Sequence, residues 1–309
     1  MFNKLSTKAL AAVFGLLLIA VLYLFLFDGN KNERTFRNEL VLVDTSKVDE
    51  IYLYPKAENY NEVYLKKIND EWKVKIGEDK SAEVPNSKIK NLFAQLLTIK
   101  PKRLASRDEL KWKDYQVDST GTRVKIFEDG EQTLDIVLGR FSFQQPRSMS
   151  TFVRLAEDTD VYEVDGFLDM TFNQSLNSFR NNSIVSDNKN NWQSLTFIYP
   201  ADSSFRMEKR ENKWFINNIE TDSTKTEQFL NKLSRLSHQN FYDSINKDQL
   251  LTPTYSLKID NSDTSSITVN GYKLNNKLLI TSSQNHESIF ESDNNLKQNI
   301  FINSEKVLK

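Results

Sequence analysis

Hydrophobic positions along this chain fall into two regimes. Ala9 to Phe27 is one apolar run without a charge, and after Asp28 apolar residues recur only at the spacings of strands and helices. A helix of about 19 residues rises about 28 Å, the depth of a bilayer's hydrocarbon core. The run therefore predicts a transmembrane helix over 9–27, preceded by a short tail (1–8) and followed by a linker (28–46). It ends Leu24-Phe25-Leu26-Phe27-Asp28, bulky where a signal peptidase needs small residues, so it reads as an uncleaved signal anchor. Lys4 and Lys8 lie close before the helix and Asp28 opens its far side. The expected placement is single-pass in a bacterial inner membrane, with the C-terminal domains on the periplasmic side.

Beyond the linker the same order of elements is expected twice. Ile51-Tyr52-Leu53-Tyr54-Pro55 recurs as Thr196-Phe197-Ile198-Tyr199-Pro200, each followed by a polar loop, a strand, a tight turn and a tryptophan, Trp72 or Trp214. Trp72, Val74 and Ile76 alternate with lysines, the pattern of a half-buried strand. Ile89, Leu92, Phe93, Leu96 and Leu97 form one helical stripe, begun near Asn86 or Ser87 and ended before Pro101. Its counterpart carries Phe229, Leu230, Leu233 and Leu236 behind Thr224-Lys225-Thr226-Glu227, which has the spacing of a capping box. A meander follows in each half. Asp129-Gly130 between alternating strands predicts a type I′ hairpin, and Phe152–Leu155 and Val161–Val164 correspond to Leu278–Ile280 and Ile289–Glu291. Phe167, Leu168, Phe172 and Leu176 close the first half, and Leu296, Ile300 and Phe301 the second. The expected fold is α+β: a transmembrane helix, then two similar modules of antiparallel sheet plus amphipathic helix, spanning 47–185 and 186–309.

Composition narrows the chemistry. Lys+Arg 41 against Asp+Glu 42 leaves no field to steer a polyanion, so no nucleic-acid partner is expected. The absence of cysteine removes disulfides, thiol nucleophiles, cysteine metal sites and lipoprotein anchoring. His238 and His286 stand alone, without the spacing of a metal pair. The carboxylate pairs Asp158/Asp160 and Glu291/Asp293 fall in loop-like stretches with no apolar setting to raise a pKa. Glycines are too dispersed for a phosphate loop. Arg140, Arg147 and Arg154 around Gln144-Gln145-Pro146 read as exposed hairpin arginines, although they could ring an acidic ligand. Lys100, Lys102, Arg103 and Arg107 read as a solvated connection, although they could meet phospholipid headgroups. No catalytic, cofactor-binding or metal residue is assigned, and no cofactor is expected.

The anchor, the Tyr54-Pro55 strand, the Trp72 hairpin, Leu138-Gly139-Arg140, Phe152-Val153-Arg154-Leu155, Val161-Tyr162-Glu163-Val164 and Phe179-Arg180 before Ile184-Val185 together resemble a bacterial membrane-anchored family known as domain of unknown function forty-three-forty. The resemblance implies no catalytic residues. Members are often encoded beside ABC-type transport systems, which implies an accessory role with an integral membrane partner. The sequence thus points to an accessory or scaffold protein that acts by protein binding rather than as an enzyme. A ligand- or glycan-binding module and a cell-envelope enzyme stand as alternatives.

Overall fold

The computed structural model describes residues 37–308 except Asp79 and 145–147, together with Phe14 and Leu17. The expected span Ala9 to Phe27 lies outside the described residues but for those two, which are helical and exposed. Among the described residues no helix is long and apolar enough to cross a membrane.

The first half folds in the order β1 (Val48–Tyr54), β2 (Val63–Ile68), β3 (Glu71–Lys75), β4 (Ser81–Glu83), α1 (Asn86–Leu96), β5 (Pro101–Ser106), α2 (Trp112–Tyr115), β6 (Thr122–Glu128), β7 (Glu131–Gln144), β8 (Ser148–Leu155), β9 (Val161–Asp165), α3 (Asp169–Phe172) and α4 (Leu176–Phe179). A strand β10 (Ser183–Ser186) crosses to the second half: β11 (Trp192–Ile198), β12 (Phe205–Arg210), β13 (Lys213–Ile216), β14 (Ile219–Glu220), α5 (Ser223–Leu233), β15 (Arg235–Ser237), β16 (Tyr255–Asn261), β17 (Ser266–Leu274), β18 (Lys277–Ser282), β19 (Asn285–Ser292) and α6 (Asn294–Ile300). The fold is α+β and mostly antiparallel sheet.

The nine-stranded sheet runs β4-β3-β2-β1-β6-β7-β8-β9-β5, and the eight-stranded one β14-β13-β12-β11-β16-β17-β18-β19. Strand for strand the orders match, and one difference separates them. The strand after the helix, β5, pairs with β9 in the first sheet, whereas β15 leaves its sheet to pair with β10. Ile184 and Val185 of β10 are fully buried in the second core.

Register fixes which residues correspond, and it differs by one from the sequence comparison. Ile51 lies between Leu65 and Ile126, and Leu195 between Met207 and Ile259. Ile51 therefore matches Leu195, not Thr196, and Pro55 matches Tyr199. The shared Tyr-Pro pulls the alignment one step too far. A one-residue slip would turn the buried set of a strand to solvent, and the fold instead shortens the loop after β11. The tryptophans do correspond: Trp72 opposes Lys67, Trp214 opposes Lys209, and both are buried. Each follows a two-residue turn with positive φ at both positions, Asn69-Asp70 and Glu211-Asn212. Asn and Asp tolerate that region better than most residues, so the turn closes without glycine. Asp129-Gly130 turns in the same way.

Helix α1 buries Ile89, Leu92 and Leu96 on the first sheet, and α5 buries Phe229, Leu230 and Leu233 on the second. The cap of α5 is Asp222, whose carboxylate accepts from the Lys225 amide at 2.9 Å, rather than Thr224. Thr226 is buried and bonds Thr221 instead. Leu236 lies beyond the helix, on β15.

Candidate interaction site

Strand alternation sends Ile51, Leu53, Val63 and Leu65 inward and leaves Glu50, Tyr52, Tyr54, Tyr64 and Lys66 on the open face of β1 and β2. Tyr52 and Tyr64 are register partners with stacked rings at 4.5 Å, and Phe127 of β6 leans on Tyr52 at 5.2 Å. Glu50 gathers the polar ends, accepting from Tyr52 Oη at 2.7 Å and Lys66 Nζ at 2.8 Å. Burial disfavours its charge, but hydrogen bonds from Lys66, Tyr52 and Tyr64 outweigh this and hold its pKa below the usual carboxylate value. Burial, reinforced by Glu62, pushes Tyr54 up to about 12; burial, reinforced by Glu50, does the same to Tyr64. The matching positions of the second sheet carry Ser194, Thr196, Ile198, Arg206, Glu208 and Asp260. At these positions only the first sheet is aromatic.

That face continues over Ile68, Lys73 and Lys75 into a cleft of about 360 Å³ between the halves, lined by Lys80, Asp243, Lys247, Asp248, His286 and Glu287 among others. Arg180 is the brace beneath it. Its side chain is 0 % exposed, forks onto Asp243 at 2.7 and 2.9 Å, and lies 3.7 Å over the Phe241 ring. A planar bidentate guanidinium suits both contacts, which a lysine could not make together. Lys88 of α1 donates to the carbonyls of Ser178 and Arg180 at 2.6 and 2.7 Å, and burial lowers its pKa. Across the cleft Lys73 pairs with Glu287 at 2.6 Å, Lys80 donates to the Asp243 carbonyl, and Asn285 donates to the Asn181 and Ser183 carbonyls. The two halves are pinned by side chains from both.

Most of the groups that the sequence offered for chemistry are engaged in structural bonds. His238 Nε2 meets the Glu291 carbonyl at 3.0 Å, and Glu291 pairs with Lys277. His286 lines the cleft. Asp158 caps its own turn, binding the Thr159 amide at 2.7 Å, and Asp293 caps α6 through the Leu296 amide at 2.6 Å. Buried Asp160 is met by Tyr162 Oη at 3.4 Å and by Arg107 at 3.9 Å. Among the described residues no cluster of His, Asp and Glu could hold a metal.

Two readings of arginines need correction. Arg154 is buried, not exposed: it stacks 3.8 Å over Trp112 and donates to the carbonyls of Val117, Leu155, Ala156 and Asp158. The segment after β5 folds back over the sheet and covers it, a long-range contact that strand alternation does not reveal. The basic run after α1 is not a loose connection either. Lys102 and Arg103 stand on edge strand β5, where Lys102 pairs with Asp165 at 2.8 Å and Arg103 with buried Glu163, and Arg107 just beyond it pairs with Asp160. Arg140 is exposed and donates to the Asp114 carbonyl at 2.7 Å, and Arg147 lies outside the described residues. Gly139 has its own reason: a Cβ there would stand 2.2 Å from the Tyr115 carbonyl oxygen.

A second hollow, of about 530 Å³, lies between the β17–β18 turn and the start of α6, with Tyr255, Lys273, Lys277, Glu291 and Lys297 in its wall. The sequence pointed to none of Asp243, Tyr52 and Tyr64 as a site. The signal for the tyrosines was present, as aromatics at the polar phase of a strand in one half only. No curated protein and no solved structure matches the chain. The family described as Domain of unknown function (DUF4340) matches residues 72–260, from β3 of the first sheet to β16 of the second. The match covers more than half of the chain and contains both Arg180 and Asp243, so the chain belongs to that family.

Proposed function

We propose that this chain is a single-pass membrane-anchored accessory protein that works by binding. Its two modules arise by internal duplication, its domains stand on the periplasmic side of a bacterial inner membrane, and its partner is an integral protein of an ABC-type transport system. The observation that carries the reading is the difference between two otherwise matched sheets: one carries half-buried Tyr52, Tyr54, Tyr64 and Phe127 on its open face where the other carries Thr196, Ile198, Arg206 and Asp260. Core packing constrains neither set, so the tyrosine face is the contact surface. Aromatic rings with a polar tip are favoured at interfaces because they bury large area with few rotors. The Arg180 brace holds this face at a fixed angle to the cleft. The commitment of His238 and the paired carboxylates to structural bonds supports binding over catalysis.

The test is capture of the full-length chain from membranes in mild detergent. Integral transport subunits should come down with it. Recovery of the chain alone, together with turnover of a cell-envelope substrate by the purified protein, would establish the enzyme alternative. The cysteine-free sequence makes placement testable in parallel: single cysteines at Ser119 and Ser262 should react with an impermeant maleimide in intact spheroplasts. Labelling only after lysis would put the domains in the cytoplasm.

A further inference from the structure

The strand β7 is longer than its counterpart for a reason that the sheet itself does not supply. Its pairing with β6 ends at Leu138, yet β7 continues against β8 through Phe141↔Thr151, where β9 still flanks β8, and beyond Ser150 the two strands run on as a two-stranded ribbon at Phe143↔Met149. In the second half β17 and β18 run on past Gly271 only to Leu274↔Lys277 before a polar two-residue turn, Asn275-Asn276. Phe141, Phe143 and Met149 each expose about half of their surface, and Met170 exposes more than two-thirds. The Phe167 ring packs on Phe141 at 4.9 Å. The register Pro101↔Val164↔Thr151↔Phe141 puts Pro101, flanked by Lys100 and Lys102, at the far end of the row across the sheet from Phe141, and Arg140 stands at the root of the ribbon. Asp165 and Asp169 are the acids nearby in the chain, and Asp165 is neutralised by Lys102.

We infer that the β7–β8 ribbon rests its Phe141, Phe143 and Met149 side chains in the surface of the bilayer that holds the apolar run, so that the first module touches the membrane at a second point. The inference rests on the anchor reading above. Exposed aromatic and methionine side chains with basic neighbours match an interface whose acyl boundary is apolar and whose headgroups include anions. The length of chain before the first module permits the contact. Arg37 pairs with Asp158 at the far end of β8 from the ribbon, and β8 spans about 23 Å at about 3.3 Å per residue. Residues 28–36 extend to about 30 Å, enough for the first module to lie with β7 and β8 along the membrane surface. Two points of contact fix an orientation that a lone tether leaves free. The tyrosine face then meets a membrane-embedded partner at a set angle.

The test uses the full chain with single cysteines, Phe143→Cys and, in the equivalent turn of the second half, Asn275→Cys. Each carries an environment-sensitive dye and is reconstituted into phosphatidylcholine–phosphatidylglycerol vesicles with or without nitroxide-labelled lipid. The dye at 143 should lose most of its emission to the nitroxide lipid, and the dye at 275 should keep its own. A third site, Met149→Cys, should follow 143 and guards against a fault of one variant. Co-flotation with vesicles but equal emission at 143, 149 and 275 overturns the ribbon contact and leaves the anchor standing, as expected if a partner protein covers the ribbon. Failure to float with vesicles overturns the anchor reading, and the ribbon contact falls with it.

Discussion

The two sheets of this chain are built to one plan and finished differently. Both run four strands out to a short edge, return through a helix, and add a four-strand meander. Both seat a tryptophan after a two-residue turn of positive φ. What the halves share is their buried cores, and they part elsewhere: the half-buried tyrosine face and the long ribbon belong to the first alone, and the path of the strand after the helix also departs. In the first half β5 lies against β9 with two ion pairs along it and a third just beyond its end. In the second, β15 turns away to β10, and the edge of β19 is met instead by Asn240 to Tyr242, through the Tyr242 and Glu291 amides. That diversion brings Phe241 and Asp243 to Arg180. Divergence at one edge of the second sheet thus creates the joint between the halves.

The largest test of the shared plan is at its tryptophans. Trp72→Ala and Trp214→Ala should each lower stability by about 3–5 kcal/mol, as for other large core truncations, measured by denaturant unfolding. One tolerant site would break the equivalence. The joint comes next. Arg180→Met should cost about 3 kcal/mol, at the low end for a broken buried pair because Asp243 is 37 % exposed and can rehydrate. It should also separate a single unfolding transition into two, which a tryptophan variant should not do.

Gly139→Ala should cost about 1–3 kcal/mol, because the Cβ meets a backbone carbonyl that cannot step aside. Gly271→Ala in the second half should cost less, since the nearest atoms belong to the Phe301 ring, which can shift.

The smallest effect is a titration. Tyr54 and Tyr64 are held neutral to about 12 by burial and by Glu62 and Glu50, whereas an unfolded tyrosine ionises near about 10. Their contribution is complete below about pH 10 and is lost as pH rises toward about 12. Stability should fall over that window, and Tyr64→Phe should flatten the fall. The matching positions, Ile198 and Arg206, have nothing to ionise there. An unchanged slope in Tyr64→Phe would place the alkaline loss elsewhere.

Much of this fold was legible because it is local. Alternation announced the strands, Asp129-Gly130 the hairpin, and the 3.6-residue stripe of Ile89 to Leu96 the helix. The errors are those of distance. Arg154 looks like a surface arginine until the segment of Trp112 returns over it, and Lys102 and Arg103 look like a loop until β9 arrives with Asp165 and Glu163. The cap of α5 was misplaced for a local reason: Thr224 and Glu227 had the right spacing, but Asp222 stood earlier with an ionised oxygen. The tyrosine face needed registers among three strands before its rings could be seen to meet. Arg180 was visible as part of a motif, yet its partner lies 63 positions on, where no pattern points to it.

The claim on which the rest depends is that the first sheet's open face binds. It is tested most directly by giving that face the residues of its counterpart. Full-length protein carrying Tyr52→Thr and Tyr64→Arg should fold with the core intact, since both side chains lie on the open face, and should reach the membrane as before. In capture from mild detergent it should lose the integral transport subunits that the unaltered chain retains. Retention of the same subunits at the same yield by the altered chain would contradict the account and move the binding surface elsewhere.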